Sequence, residues 1–91
     1  MLIMIKYGPD NVAERSKLEH ARAGDEIVLI QNGVFWASTN EIDQYLKADI
    51  KAYALDDDCA ARGYSEDALS MPMISYDGFI DIIERQEKSI S

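Results

Sequence analysis

Short apolar runs alternate with polar or amphipathic stretches along the chain, and this alternation predicts an α/β protein. Residues 2–6, 26–31 and 50–55 each contain a run of consecutive apolar residues, which is typical of strands buried on both faces. A fourth run at residues 73–75 follows Pro72, a residue that precedes or begins a strand. About four strands are therefore expected.

The first two helices are predicted from capping boxes. The Asn-x-x-Glu spacing that begins at Asn11 predicts a helix over residues 11–23, with Gly24 as its left-handed cap. Residues 38–41 form a second capping box, and the amphipathic helix behind it is expected to end near residue 48.

Two further helices follow the third and fourth strands. Asp56 is predicted to cap a short helix that Gly63 stops, with an i,i+4 ion pair between Asp58 and Arg62. Residues 65–69 form a further helical turn. The closing helix covers residues 77–88, and apolar spacing predicts that four side chains at its start are buried: Tyr76, Phe79, Ile80 and Ile83.

Residues 31–38 allow two interpretations. Asn32-Gly33 between apolar runs is a strong hairpin signal, on which residues 34–38 would pair antiparallel with residues 27–31. A turn into a short helical segment is preferred, because Ala37 is a poor strand residue and a βαβα pattern surrounds the run.

These elements predict one domain over residues 1–91, with a small, mostly parallel sheet of about four strands between two helix layers. A sheet of this size has long exposed margins, so burial through oligomerisation is expected.

Composition narrows the classes of function. The formal charge is −8, from 17 acidic against 9 basic residues, which argues against direct nucleic-acid binding because phosphate contacts need clustered Lys and Arg. The apolar start, residues 1–5, is too short for a signal peptide or a membrane span and is expected to be a strand. A single cysteine excludes an internal disulfide and fits a reducing compartment.

Cys59 is the candidate nucleophile, directly after Asp56, Asp57 and Asp58. The start of a helix lowers the pKa of a thiol, whereas three neighbouring carboxylates raise it. The sequence therefore leaves open whether the pKa of Cys59 is raised or lowered. A buried, inert cysteine is the favoured interpretation, with a persulfide site as the alternative.

Other candidate residues have simpler explanations. His20 fits a solvated helix face, and the three aspartates fit helix capping better than a metal site, so no cofactor or metal is predicted. Val34, Phe35 and Trp36 are interpreted either as core or as interface anchors.

An ordered set of motifs resembles the DsrH/TusB family of sulfur-relay subunits, within the DsrE/F/H-like superfamily. The segments are KYGP at residues 6–9, AGDEIVLIQNGV at 23–34, YALDDD at 53–58, Ala-Arg-Gly at 61–63 and ISYDGF at 74–79. The resemblance implies a parallel sheet between helices and a cytoplasmic role in passing persulfide sulfur between proteins. In one branch that sulfur serves 2-thiolation of the tRNA wobble uridine, and in another it serves sulfur oxidation.

The resemblance also bears on catalysis. The family's functional cysteine lies on the first helix, seven residues before the glycine that here is Gly24, and that position is Lys17. Cys59 falls where relatives usually carry an apolar residue, and the family's tryptophan near the C-terminus is missing. The resemblance thus implies a non-catalytic subunit of a DsrEFH/TusBCD-like complex with DsrE-like and DsrF-like partners.

Two other hypotheses stay open at this point. One is a persulfide carrier or sulfurtransferase that depends on Cys59, and the other is a self-associating structural or regulatory domain.

Overall fold

The computed structural model describes residues 1–39, 41–47 and 49–90, and these residues form a five-stranded parallel sheet. The spatial order is β4-β3-β2-β1-β5. The strands are β1 (Leu2–Ile5), β2 (Glu26–Leu29), β3 (Lys51–Leu55), β4 (Met73–Ile74) and β5 (Ser89–Ile90). The predicted α/β class and parallel sheet are confirmed, and β5 is a strand that the hydrophobic pattern did not indicate.

Helical segments connect the strands. The α-helices are α1 (Val12–Glu19), α2 (Asp56–Ala61) and α3 (Tyr76–Arg85), and 3₁₀ helices cover Gln31–Ser38, Glu41–Gln44 and Glu66–Ala68. No helix among the described residues has the length and apolar character needed to cross a membrane.

Alternating strand residues face two separate cores. On one face, strand residues pack with side chains from α1, α2 and the first 3₁₀ helix: Ile3, Ile5, Ile27, Leu29, Leu18, Val34, Trp36 and Cys59. On the other face, three strand residues pack with α3: Leu2, Val28, Leu55, Phe79 and Ile82. The predicted three-layer arrangement is therefore confirmed, with the second outer layer formed by α3 within the described chain.

The β1–α1 connection begins as predicted, but α1 ends earlier. The Asn11 side chain accepts a hydrogen bond from the Glu14 backbone N–H at 3.1 Å, so the N-cap is confirmed. Helix α1 stops at Glu19 instead of residue 23, because the Asp25 carboxylate accepts a hydrogen bond from the Arg22 N–H at 2.8 Å and folds the chain into a turn. Gly24, with φ +89°, lies in that turn and does not cap the helix.

Residues 31–38 are helical, so the preferred interpretation is confirmed and the hairpin is wrong. The next predicted helix is reduced to one 3₁₀ turn at Glu41–Gln44, because the N–H groups of Tyr45 and Leu46 bond to carbonyls three residues back. Asn40 and Ala48, which belonged to that prediction, lie outside the described residues.

The buried face of α3 differs from the predicted one. Phe79 and Ile82 face the core, whereas Tyr76 is 60% exposed and Ile83 is 42% exposed. Gly78 explains this rotation, since a Cβ atom there would lie 2.7 Å from Cγ1 of Ile74, and this close approach sets which side of the helix meets the sheet. Tyr76, Ile80 and Ile83 therefore form an apolar flank of α3, which we call the α3 flank.

Substitution of Gly33 tests the packing between β1 and the first 3₁₀ helix. A Cβ atom at this position would lie 2.0 Å from the carbonyl oxygen of Ile5, so Gly33→Ala must displace backbone. We expect a loss of about 3 kcal/mol in the free energy of unfolding, measured by urea denaturation. Gly24→Ala is the control, because its Cβ meets open space and only its positive φ costs about 1 kcal/mol. Equal losses for the two variants would contradict the close packing.

Candidate functional site

The carboxyl ends of β1, β2 and β3 lie side by side at one edge of the sheet. The parallel register pairs Ile5 with Leu29 and Leu29 with Ala54, so the loops after these three strands are neighbours. In open parallel α/β sheets this edge is where ligands usually bind. We call the surface formed by residues 6–11, 31–35 and 56–62 the carboxyl rim.

Glu14 organises the first part of the carboxyl rim. Its side chain is 1% exposed, and its Oε2 atom accepts hydrogen bonds from the backbone N–H groups of Lys6 at 2.6 Å and Tyr7 at 3.0 Å. Its Oε1 atom pairs with Nζ of Lys17 at 2.6 Å. The predicted capping box is thus only half formed, because the Glu14 side chain binds the end of β1 and not the cap residue.

The same ion pair covers the outer edge of β1. Strand β5 pairs with Leu2 and Ile3 only. Beyond this point the Met4 carbonyl accepts a hydrogen bond from Lys17 at 3.4 Å, and the Lys6 N–H is bound by Glu14. These side chains satisfy backbone groups that an edge strand would otherwise expose.

The β1–α1 loop is fixed by further hydrogen bonds. The buried Trp36 side chain donates from Nε1 to the Tyr7 carbonyl at 3.0 Å. Arg15 donates from Nε to the Pro9 carbonyl at 2.7 Å, and the Asn11 N–H donates to the Gly8 carbonyl. The loop is therefore rigid, because its backbone groups are bound by side chains from two other elements.

Helix α2 is tied to the end of β2. The Asp58 carboxylate accepts a hydrogen bond from the Gln31 N–H at 2.7 Å, and Gln31 has a positive φ of 51°. Arg62 donates to Oδ1 of Asn32 at 2.8 Å and to the Asp58 carbonyl at 2.9 Å. The predicted ion pair between Asp58 and Arg62 is therefore wrong, because the Asp58 carboxylate binds the Gln31 N–H instead.

The ends of α2 match the prediction in part. Leu55 occupies the N-cap position without a side-chain hydrogen bond, and Asp56 is the first helical residue, so the predicted Asp56 cap is wrong. Gly63 has φ +77° directly after the helix, and the predicted stop is confirmed.

Cys59 lies beneath this rim in the apolar core and is fully buried. Burial raises the pKa of its thiol, and the negative charges of Asp58 and Asp56 raise it further, although Arg62 acts in the opposite direction. A thiol in this environment stays protonated at neutral pH and has no access to a partner protein.

The remaining candidate residues lie apart from Cys59. Lys17 is held by Glu14, and the exposed His20 lies at the end of α1, where its Nδ1 atom contacts the Ser16 carbonyl at 2.7 Å. Val34 and Trp36 are fully buried, whereas Phe35 is 40% exposed. Of these three interface candidates, only Phe35 presents its side chain to solvent. Among the described residues, no group of three or more His, Cys, Asp or Glu side chains could hold a metal ion.

Comparison with known proteins identifies the family. The family model described as DsrH like protein matches residues 10–89. The chain belongs to the DsrH family. The match starts in the β1–α1 loop and continues into β5, so it includes nearly every element described above.

Relatives agree with the DsrH assignment over the full chain. Protein TusB of Serratia proteamaculans is 30% identical over 94 residues, which cover 100% of this chain and 99% of the relative. TusB of Cronobacter sakazakii is 32% identical over 85 residues, which cover 90% of each chain. Both relatives thus have nearly the same length as this DsrH-family chain.

A solved structure shows the same fold. The solution NMR structure of Tm0979 from Thermotoga maritima is 47% identical, covers 100% of both chains and superposes with a TM-score of 0.74. A second NMR structure of Tm0979, described as a candidate sulfur transferase, gives a TM-score of 0.71 and covers 98% of this chain.

Sequence reasoning missed the contacts of Glu14 with the end of β1, and it named Trp36 as a core or interface residue without its hydrogen bond to the Tyr7 carbonyl. Glu14 was assigned to a capping box, and nothing in the local pattern marks its contact with the end of β1. The available sequence signal for this contact is weak. It is an acidic residue in the first turn of a helix that has no apolar stripe.

The stability of the protein should decrease at acidic pH through Glu14. Burial alone would raise the pKa of this carboxyl, but hydrogen bonds from Lys17, Tyr7 and Lys6 outweigh it and hold the pKa below its usual 4.5. The stabilisation is therefore complete above pH 4.5 and is lost as the pH falls through the lower pKa of the folded state.

Urea denaturation of Glu14→Gln from neutral pH to pH 3 provides the test. We expect a loss of about 2 kcal/mol near neutral pH that shrinks in acid, since the wild-type carboxyl is then also neutral. Glu19→Gln, on the exposed side of α1, is the control. A Glu14→Gln loss that is the same at all pH values would show that charge is not involved.

Cys59 should be unreactive in the folded protein. Because its thiol is buried and its pKa is raised, we expect slow reaction with Ellman's reagent at pH 8 and rapid reaction after unfolding in urea. Rapid labelling of the folded protein, at the rate of the unfolded chain, would contradict the buried placement.

Proposed function

We propose that this DsrH-family chain is a non-catalytic subunit of a cytoplasmic sulfur-relay complex, linked to 2-thiolation of the tRNA wobble uridine or to sulfur oxidation. The names of the relatives support the pathway, since two are TusB proteins and Tm0979 is described as a candidate sulfur transferase. The subunit role is argued from the residues of this chain.

The burial of Cys59 carries the proposal. A sulfur carrier must expose a thiolate to the protein that donates sulfur, but the single cysteine here lies in the core with a raised pKa. Lys17, on the first helix, is engaged by Glu14 and by the Met4 carbonyl. The chain therefore contributes structure or recognition, and the reactive cysteine belongs to a partner.

The α3 flank supports assembly. Tyr76 and Ile83 are exposed, Ile80 is partly exposed, and Met4, Ile30 and Tyr53 on the same side of the sheet are only partly buried. Parallel sheets are normally covered on both faces, so a single ten-residue helix on this side leaves apolar surface for another subunit. DsrE-like and DsrF-like subunits are the partners we propose, with a second copy of this chain as the alternative.

Isolation of the tagged chain from its native cell tests the subunit role. We expect small α/β proteins of the DsrE and DsrF type to co-purify, and we expect Ile83→Glu to abolish the association by placing a charge in the apolar contact. Val12→Glu is the matched control, because Val12 is an exposed apolar residue on α1, on the opposite layer. A chain that purifies alone as a monomer would contradict the proposal, and a homo-oligomer would favour self-association.

Mass spectrometry after treatment with a persulfide donor tests the absence of catalysis. We expect the mass of the folded wild-type chain to stay unchanged. A gain of one sulfur atom that is lost in Cys59→Ala would establish the persulfide carrier instead. Cys59→Ala retains an apolar side chain and should stay folded, as its circular dichroism can confirm.

A further inference from the structure

A groove on the carboxyl rim has no role in the proposed function. It has a volume of about 460 Å³ and lies between the β1–α1 loop and the first 3₁₀ helix. We call it the rim groove, and its lining residues are Tyr7, Gly8, Pro9, Asp10, Asn11, Asn32 and Phe35. The first 3₁₀ helix packs on the face of the sheet opposite α3, so the rim groove and the α3 flank lie on different layers.

The walls of the rim groove are aromatic. Tyr7 is 55% exposed and Phe35 is 40% exposed, so both rings are open to a ligand. The Phe35 ring packs against Tyr64 in a T-shaped arrangement, with ring centroids 5.9 Å apart. Gly8 borders the Phe35 wall, because a Cβ atom there would lie 3.8 Å from the Phe35 side chain, in ordinary van der Waals contact.

The floor of the groove is rigid before any ligand binds. Trp36 holds the Tyr7 carbonyl, Arg15 holds the Pro9 carbonyl, and the Asn11 N–H holds the Gly8 carbonyl. A ligand therefore meets a preformed surface and does not have to order this loop. The carbonyls of Tyr7, Gly8 and Pro9 already accept hydrogen bonds within the chain. The aromatic rings and the charged side chain are therefore the groups that recognise a ligand.

The charge at the rim groove is negative. Asp10 is exposed, and its carboxylate forms no hydrogen bond or ion pair with the rest of the described chain. Asp10 is the only charged side chain among the described residues that line the groove, and Lys6, Arg15 and Arg62 lie outside this lining. The positive end of α1 also faces this loop, and the carboxylates of Asp10 and Glu14 offset it.

We propose that the rim groove binds a segment of another protein that presents a lysine or arginine side chain. The cation would lie against the faces of Tyr7 and Phe35 and pair with the Asp10 carboxylate. Aromatic faces attract cations, and a carboxylate beside them can form an ion pair with the same cation. The groove suits an anionic ligand less well, since its lining residues among the described chain include Asp10 and no lysine or arginine.

This binding does not depend on assembly through α3, because the two surfaces lie on opposite layers. A failed search for sulfur-relay partners would leave it intact. The test can therefore be made on the isolated chain.

Amide NMR titration with two short peptides provides the test. The probe is a blocked pentapeptide of four alanines around one arginine, and the control peptide carries glutamate in its place. We expect weak, salt-sensitive binding of the arginine peptide, with shifts confined to residues 7–11 and 32–35. Equal shifts with the glutamate peptide, shifts elsewhere, or no shifts would overturn the proposal, as would binding of inorganic phosphate at the same amides.

Three variants separate the two parts of the groove. Asp10→Asn removes the charge, and Phe35→Leu keeps apolar volume but removes the aromatic face, so each should weaken arginine-peptide binding about threefold. Asp67→Asn changes an exposed acid in the 3₁₀ helix Glu66–Ala68, outside the groove, and should bind like the wild type. Unchanged affinity in both groove variants would overturn the proposal, and their amide spectra show directly whether the fold is retained.

Discussion

The buried carboxylate of Glu14 is the interaction on which the rest of the structure depends. A buried charge is costly unless several groups compensate it, and here two backbone N–H groups and the Lys17 ammonium do so. Through these contacts one side chain joins α1, the end of β1 and the loop that follows. The contact with Lys6 also completes the edge of β1 beyond the short β5, so an edge that would otherwise pair with another chain is covered from within.

The polar side chains at the strand ends also form hydrogen bonds within the chain. This limits the chemistry that the carboxyl rim can perform. Asp58 stabilises Gln31 in its left-handed conformation, and Arg62 fixes Asn32. These side chains stand where many α/β proteins hold catalytic groups, but each is bound within the chain. Cys59, one residue after Asp58, consequently packs into the core below the rim. The rim is therefore built for rigidity and recognition, which agrees with a subunit that leaves the chemistry to a partner.

Strands β1, β2 and β3 could be predicted because most of their residues are buried on both faces, which leaves continuous apolar runs such as residues 27–30 in the sequence. The short helical segment after Asn32-Gly33 was also predictable, from the pattern around it. The hydrogen-bond partners of the side chains at the carboxyl rim could not be predicted. Glu14 and Asp58 both occupy positions with a good local explanation, a capping box and an i,i+4 ion pair, yet both bind backbone of distant strand ends. Local spacing cannot reveal a partner that only the fold brings close. The same holds for α3, where contact at Gly78 sets the rotation and leaves Tyr76 and Ile83 exposed.

The exposed flank of α3 raises the question of how the chain avoids indiscriminate association. Acidic side chains on the solvent side of the same helix, at Asp77, Asp81 and Glu84, border the apolar residues. With a net charge of −8, two copies repel each other over longer distances, so only a surface that matches the flank closely gains enough contact to bind. The carboxyl rim repels acidic partners for the same reason and favours basic ones. On the proposed function, an acidic chain with one apolar flank and one aromatic groove on the opposite layer joins an assembly through the flank while the groove stays accessible to a further protein.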